Sequence, residues 1–492
     1  MKVCLMDENG TWNLMKKLSG VTANTKSDLE LDSVFSVMAQ DDMVIYNAVQ
    51  TAFLLPLVME EQILYRQQVL SDCLRNDETV RELYRLVGDA LVKQENPNLC
   101  FGEMQSVSSQ FNRCMSRLKD LIFTLRFLRN FEKKEKKNFH SKGFQSLFRD
   151  LNKNLDDNFF AGLDELIHQL QFPDGMLIGA KLTKSGSSFG HELLYMESKH
   201  SSGQKSNPFY EVKQGNSRGV SDLLHRRELA ISKSNRILVR AISFVCDYLN
   251  ALKNNLGFYI GCLNLHQKLT ERKIALCIPV ISQGKYSWSA INLTELNVGL
   301  KEAHPVANNL KIENSCCIIT GADLGGKTTF LRAAGQNQMM MQCGMFVAAS
   351  FFSAPVKSGI FTHFQREEDH GFLNGKLGEE FTRMNEIIDS IKPGALLLCD
   401  ETFCSTNERE GSEIAWQITK ALREKGISVF MVTHLFPFAQ RLHEDCRNDC
   451  TFLCSERLPD GERTKRILPG APQRTSFCED LYQEVFTQTS IS

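Results

Sequence analysis

The octapeptide GADLGGKT at residues 321–328 constrains this chain more than any other segment. It fits G-x-x-x-x-G-K-[ST] in full, with Gly321, Gly326, Lys327 and Thr328 at the fixed positions. The apolar run SCCIIT precedes it, and the helical pattern TTFLRAAGQNQMMMQCG follows and stops at Gly344. A buried strand that turns through glycines into a helix makes a cradle for phosphate. The glycines let backbone N–H groups wrap an anion, and the helix presents its positive end. Gly321, Ala322, Asp323, Leu324, Gly325, Gly326, Lys327, Thr328 and Thr329 are therefore expected to hold a nucleotide. In that arrangement Lys327 neutralises the β- and γ-phosphates and the Thr328 hydroxyl ligates Mg²⁺. Met339, Met340 and Met341 on the following helix read as packing residues.

A second segment completes the chemistry. ALLLCDE carries Asp400 and Glu401 to the end of an apolar strand, the end at which parallel sheets bind ligands. Asp400 suits metal ligation, and Glu401 suits polarising an attacking water. VFMVTH places His434 at the end of the next strand, where it fits a γ-phosphate or water sensor. From about residue 278 onward, strands alternate with helices, as in a parallel α/β sheet. In KLGEEFTRMNEIIDSIKPG the apolar face is expected to comprise Leu377, Phe381, Met384, Ile388 and Ile391.

A long stretch precedes this unit and reads differently. Residues 28–95 and 104–172 repeat apolar positions every three or four residues, the period of helices. Between Arg113 and Lys153, twelve Lys or Arg face four acids, most densely in EKKEKK. Either this is a solvated helix end, or Lys133, Lys134, Lys136, Lys137 and Lys142 contact nucleic-acid phosphates. GMLIGAKLTKSGSSFGHELLYMES then reads as a small β element, KHSSGQKSNP as an exposed loop, and helix resumes near Ser221. The chain's net charge of −1 supplies no global field toward nucleic acid, so any basic surface is local. No secretory signal or membrane-length apolar run is read, which predicts a cytoplasmic protein with no membrane partner. Sixteen cysteines, several in apolar strand-like runs, read as reduced thiols. The cluster His443, Cys446, Cys450 and Cys454 lacks a CxxC pair and is read as structural rather than metal-binding.

IITGADLGGKTTFLR, GIFTHFQREED, LLLCDETFCSTNEREGSEIA and FMVTH occur in the order and spacing of the MutS family ATPase, one of the ABC-type ATPases. EAHPVANNLKI resembles the segment leading into the nucleotide site of MutS proteins. DLELDSVF, ILYRQQVLSDCL and FYIGCLNL resemble the opening and closing helices of the MutS core, or lever, domain. The likeness is strongest after about residue 300 and closest to small bacterial MutS-like proteins. It implies a multidomain fold: an all-α lever domain with a small β-containing clamp-like insertion, then an α/β P-loop ATPase domain of ABC/MutS type. The expected boundaries are an N-terminal extension at 1–27, the lever domain at 28–277 with its insertion at about 126–220, and the ATPase domain with a C-terminal dimerisation segment at 278–492.

The resemblance also implies ATP and Mg²⁺ as cofactors, double-stranded or structured DNA as a partner, and a homodimer with composite sites, alongside protein partners it does not name. The family's trans segment carries Ser-Thr-Phe, whereas NGKLGEEFTRM puts Gly375 or Lys376 near the serine's place. Lys376 is then a candidate to reach the partner's γ-phosphate. Ser405, Thr406 and Asn407 fall in a family loop expected at the dimer interface. Phe-x-Glu, the family's mismatch wedge, occurs at residues 101–103, 209–211 and 477–479. With 32 phenylalanines about two such triplets arise by chance, and none lies in an N-terminal domain, so all three are rejected as wedges. The expected function is an ATPase that couples ATP binding and slow hydrolysis to clamp motion on DNA, in repair or DNA-structure recognition. The alternative is a nucleotide-dependent dimerisation switch for a protein partner.

Overall fold

The computed structural model describes residues 2–14, 19–92, 106–171, 178–185, 188–193, 217–365, 375–458 and 461–473. The three Phe-x-Glu triplets and the KHSSGQKSNP segment lie outside these residues. By its contacts the chain forms two compact units: Met1–Cys4, Glu78–His140 and Phe144–Lys253 in one, and Leu5–Asp77, Ser141–Gly143 and Asn254–Ser492 in the other.

In chain order the helices are α1 (Gly20–Asp28), α2 (Leu31–Ala39), α3 (Met43–Leu54), α4 (Glu60–Arg75), α5 (Asp77–Val92), α6 (Val107–Glu135), α7 (Lys142–Asn154), α8 (Asp157–Leu170) and α9 (Ser217–Glu271). Strands β1 (Ile178–Leu182) and β2 (Ser188–Leu193) precede α9 as an antiparallel hairpin. Among the described residues the first unit is helical apart from this hairpin. Its core includes Phe131, Phe139, Phe144 and Phe148, with the Phe139 and Phe144 ring centroids 4.3 Å apart. The hairpin is tied to α9 by Arg226, which donates to Ser188 Oγ at 2.9 Å, and by a Lys233–Glu192 ion pair.

The second unit is built on two sheets. Its remaining elements are β3 (Val280–Ile281), β4 (Trp288–Leu293), α10 (Leu296–Lys301), β5 (Asn308–Ile312), β6 (Cys316–Thr320), α11 (Lys327–Gln342), β7 (Phe351–Ala354), β8 (Ile360–Phe364), α12 (Gly375–Ser390), β9 (Leu396–Asp400), α13 (Glu408–Glu424), β10 (Ser428–Val432), α14 (Phe436–Asp445), β11 (Cys450–Arg457) and β12 (Arg463–Pro469). The larger sheet has the order β12-β11-β6-β10-β9-β8; all neighbours are parallel except β12, which runs antiparallel to β11. The smaller sheet, β3-β7-β4-β5, is mixed. Strands β6, β9 and β10 are buried along their whole length. That explains why they read as continuous apolar runs rather than alternating ones.

By contacts, helices α1 to α4 and the C-terminal part of α9 group with the strands. Helix α1 packs on β8, and the buried Asp28 carboxylate accepts from Thr362 Oγ1 at 2.8 Å and Arg383 at 3.3 Å. Helical periodicity shows that a face is buried but not what covers it. No helix among the described residues is long and apolar enough to cross a membrane.

Candidate nucleotide site

Four adjacent parallel strands deliver the site. β6, β10, β9 and β8 end in register, with Ile319 beside Val432, Val432 beside Asp400, and Asp400 beside Phe364. The next residue on three of them extends the ladder: Thr433 N donates to Ile319 O (3.1 Å), Glu401 N to Val432 O (3.0 Å) and Gln365 N to Asp400 O (3.0 Å). Functional side chains from distant sequence positions are therefore set at one sheet edge by backbone bonds.

The loop after β6 wraps into α11. Gly321 (φ 118°) and Gly326 (φ 84°) adopt left-handed backbone, and Leu324 shares it at 60°. Gly325 has no such torsion; its need is space, because a Cβ there would stand 2.6 Å from Ser455 Cβ on β11. Lys327 Nζ donates to Gly321 O (2.7 Å) and Ala322 O (2.9 Å) and lies 3.6 Å from Asp323. Burial pulls its pKa down, against the nearby carboxylates. Thr328 Oγ1 donates to Asp400 Oδ1 at 3.1 Å. Burial raises the Asp400 carboxyl to about 6, partly offset by the Thr328 bond.

Glu401 sits at φ 53°, a left-handed turn rare for a non-glycine residue. Its Oε1 accepts from His434 Nε2 at 2.7 Å, and that bond holds its pKa below the ordinary value. His434 Nε2 also lies 3.2 Å from Asp323. With two carboxylates against it, that nitrogen carries the proton. The other Glu401 oxygen, Oε2, faces one end of the Gln365 amide and Lys376 Nζ faces the other; because a carboxylate only accepts and an ammonium only donates, hydrogen bonding assigns the amide nitrogen to Oε2 (3.0 Å) and the amide oxygen to Lys376 (3.2 Å). A cavity of about 640 Å³ opens between the loop, Glu401, Val298, Val306, Asn308 and Lys465.

The structure thus brings Lys327, Thr328, Asp400, Glu401, His434 and Asp323 together. Asp400 and Thr328 offer two hard oxygen donors at one point, a donor set that suits Mg²⁺. The residues expected at an interface have partners in their own chain. Ser405 Oγ donates to Glu380 Oε1 (2.6 Å), Thr406 to Glu410 (2.9 Å), and Asn407 caps α13 by accepting from Glu410 N (3.0 Å). Gly375 (φ 69°) opens α12 beside Lys376, whose ammonium meets Gln365 of the same chain.

The expected apolar face of α12 is corrected. Phe381 and Ile388 are exposed, while Glu380, Arg383, Met384 and Ile387 are buried. Glu380 accepts from Phe403 N (3.0 Å), and Arg383 donates to Phe364 O (2.9 Å), so charged residues take the inward positions because fixed partners await them. Sequence reasoning missed Gln365, Glu380 and Lys465. Gln365 follows β8 as Glu401 follows β9, a position at a strand end that could have found it. Lys465 on β12 carries no local signal.

The lysine run falls at the end of α6. Lys134 pairs with Glu135 (3.2 Å), Lys136 with Glu132 (3.6 Å), and Lys142 with Glu8 (3.9 Å); Lys133 and Lys137 are exposed. His443 packs edge-on to Phe452, and no His/Cys/Asp/Glu group among the described residues is arranged to hold a metal. The described cysteines are free thiols.

The chain is similar to known proteins over two segments. The family model of the MutS2 N-terminal domain matches residues 59–272, and that of MutS domain V matches residues 317–456. The DNA mismatch repair protein MutS of Thermotoga petrophila is 30% identical over 176 residues, 35% of this chain and 22% of that protein. The endonuclease MutS2 of Streptococcus equi subsp. equi is 31% identical over 204 residues, 40% of this chain and 25% of that protein. MutS of Thermus aquaticus is 28% identical over 151 residues, 29% and 19% respectively. The matched segment spans a quarter or less of the length of these three relatives. With both domain models matched in order and the site assembled at the strand ends of the second, the chain belongs to the MutS family.

Proposed function

We propose that this protein is an ATP hydrolase that couples ATP binding and slow hydrolysis to movement of its helical segments on double-stranded or structured DNA, as a homodimer. The observation that carries the reading is the convergence of Lys327, the Thr328–Asp400 pair and the Glu401–His434 pair at the ends of adjacent parallel strands. Relatives named for DNA mismatch repair and as an endonuclease support the DNA partner.

In this reading residues 321–329 hold the phosphates through backbone N–H groups, and Lys327 exchanges its carbonyl bonds for phosphate oxygens. Thr328 and Asp400 hold Mg²⁺, which when bound supplies positive charge to the phosphate oxygens. Glu401, fixed on both oxygens, orients and polarises the attacking water, and His434 sets its direction. Helices α5 to α9 and the β1–β2 hairpin act as lever and clamp, and the shape change is the output.

ATP turnover of the wild type and Glu401→Gln, with branched, mismatched and plain duplex DNA added, tests this. Turnover is expected to collapse in the variant while ATP binding and ATP-dependent dimerisation persist. Full turnover in Glu401→Gln removes Glu401 as the catalytic carboxylate.

A second reading is a nucleotide-dependent dimerisation switch for a protein partner. It is favoured by the pairing of Lys134 and Lys136 with the buried acids Glu135 and Glu132, which reduces the net charge of the basic run. The two lysines are themselves exposed, so they remain open to phosphate. A DNA shift assay across a salt series separates the readings, since DNA clamping predicts affinity that falls steeply with salt. No binding at low salt, with or without ATP, leaves the switch.

A further inference from the structure

We propose that Lys376 and Gln365 form a positioning arm that aims Glu401 from within the same chain. The inference rests on the reading of Glu401 as the hydrolytic carboxylate and adds two residues to it. The geometry has a direction built in. An ammonium only donates, so the Gln365 side-chain oxygen must face Lys376 (3.2 Å). The amide nitrogen is then turned toward Glu401 Oε2 (3.0 Å). Remove the lysine and nothing in this contact prevents the amide from rotating and presenting its oxygen to the carboxylate. Lys376 thus selects the amide orientation, and the amide selects the carboxylate rotamer. His434 Nε2 takes the remaining oxygen, Oε1, at 2.7 Å.

Both members of the arm are anchored. Gln365 is one residue past the end of β8, with its N–H on Asp400 O. Arg383 of α12 holds the carbonyl of Phe364, the residue before it (2.9 Å). Glu380, also of α12, holds Phe403 N and Ser405 Oγ in the loop that follows Glu401. The helix bearing Lys376 is therefore bonded both to the strand end carrying Gln365 and to the loop beyond Glu401. Lys376 lies in the first turn of α12, where the helix dipole disfavours a cation and no acidic residue accompanies it. A residue of the wrong charge for its helical position is a mark of function rather than of helix stability.

The test uses the full chain. Lys376→Ala, Lys376→Arg, Gln365→Ala and Glu401→Gln are assayed for steady-state ATP turnover, fluorescent ATP-analogue binding and thermal unfolding. Lys376→Ala and Gln365→Ala are expected to lose roughly 10- to 100-fold in kcat, the scale for partners that orient a reacting group. Nucleotide Kd and unfolding midpoint stay at wild-type values, and Lys376→Arg recovers most of the loss.

Mixing decides whether the arm acts in its own chain. Lys376→Ala chains mixed with Glu401→Gln chains are expected to show no more than the residual turnover of Lys376→Ala, because no site then holds Lys376 and Glu401 in one chain. Turnover regained on mixing overturns the proposal and assigns Lys376 to the partner's site. Wild-type kcat in Lys376→Ala, with Glu401→Gln inactive, also overturns it and leaves the reading of Glu401 standing. Wild-type kcat in Glu401→Gln instead brings down that reading, and the arm with it.

Discussion

Gly325 is required by space alone, which makes it a sharp test of the loop's packing. A Cβ at this position would lie 2.6 Å from both Cβ and Oγ of Ser455 and 2.9 Å from Ala322 O. Overpacking of this severity costs about 1–3 kcal/mol. The loop has to shift to relieve it, so the cost falls on the conformation that cradles phosphate. At 1.36 kcal/mol per decade, Gly325→Ala should weaken nucleotide binding by roughly 5- to 150-fold. Ser455→Gly deletes both 2.6 Å contacts and is expected to restore part of the affinity in the double variant, the 2.9 Å contact with Ala322 O remaining. The deletion sacrifices no hydrogen bond among the described residues, where Ser455 Oγ is buried without a partner. Gly321→Ala is the control. Its φ of 118° strains any side chain and its Cβ would also meet Ser455 N at 2.9 Å, so Ser455→Gly should not rescue it. The assay is fluorescent ATP-analogue titration alongside thermal unfolding. Wild-type affinity in Gly325→Ala, or rescue of Gly321→Ala but not of Gly325→Ala, refutes the argument.

Two other predictions concern the frame around the site. Lys357 is 5% exposed and donates to Ser428 Oγ at 2.8 Å; burial, then Lys285, lowers its pKa from 10.5 to about 8. Below pH 8 both folded and unfolded chains bind the proton and the penalty is complete, so its contribution to stability should rise by on the order of 3 kcal/mol between pH 8 and 10.5. Urea unfolding of the wild type against Lys357→Met reads that difference, and parallel pH profiles contradict it. Arg383→Met leaves the buried Asp28 carboxylate without its guanidinium and should cost about 3–5 kcal/mol, with much of the loss recovered by Asp28→Asn. A double-mutant cycle in denaturant that shows no coupling contradicts the pairing.

The parts of the site that were legible in the sequence are those whose chemistry is local. Residues 321–328 announce themselves because turn, glycines and helix start are contiguous. Asp400 and His434 follow because a fully buried strand has to end in something polar, and both lie where two such runs stop. Gln365 also follows a strand end, yet a glutamine after the mixed run IFTHF looks like any loop residue until Lys376 and Glu401 flank it. The inward face of α12 was misread for a related reason. Periodicity counts apolar residues, and Glu380 and Arg383 are buried by their hydrogen bonds rather than by hydrophobicity. The bond between Asp28 and Thr362 has no signal in the sequence, since hundreds of residues separate them and no periodicity links them.

Helix α11 carries this argument furthest. Its sequence GQNQMMMQ suggests a methionine-packed helix, and the three methionines are indeed buried. So are all four amides, each fully out of solvent, because the helix is covered on every side from Ala333 onward. Gln336 donates to Leu29 O (3.0 Å) and accepts from Leu296 N (2.9 Å). Asn337 accepts from Ala348 N (2.7 Å), and Gln338 donates to Pro355 O (3.0 Å). Gln342 donates to Leu57 O (2.8 Å) and Lys357 O (2.9 Å). Breaking one such buried bond costs about 1–3 kcal/mol. Six of them exceed what thermal motion can spare in a domain whose whole stability is about 5–15 kcal/mol. The helix whose first turn faces the phosphate site therefore cannot shift without carrying Leu29, Leu57 and the segments around Leu296, Ala348 and Pro355 with it. A nucleotide that moves α11 moves the loops joining α1 to α2 and α3 to α4, and the amides, not the methionines, make that coupling stiff.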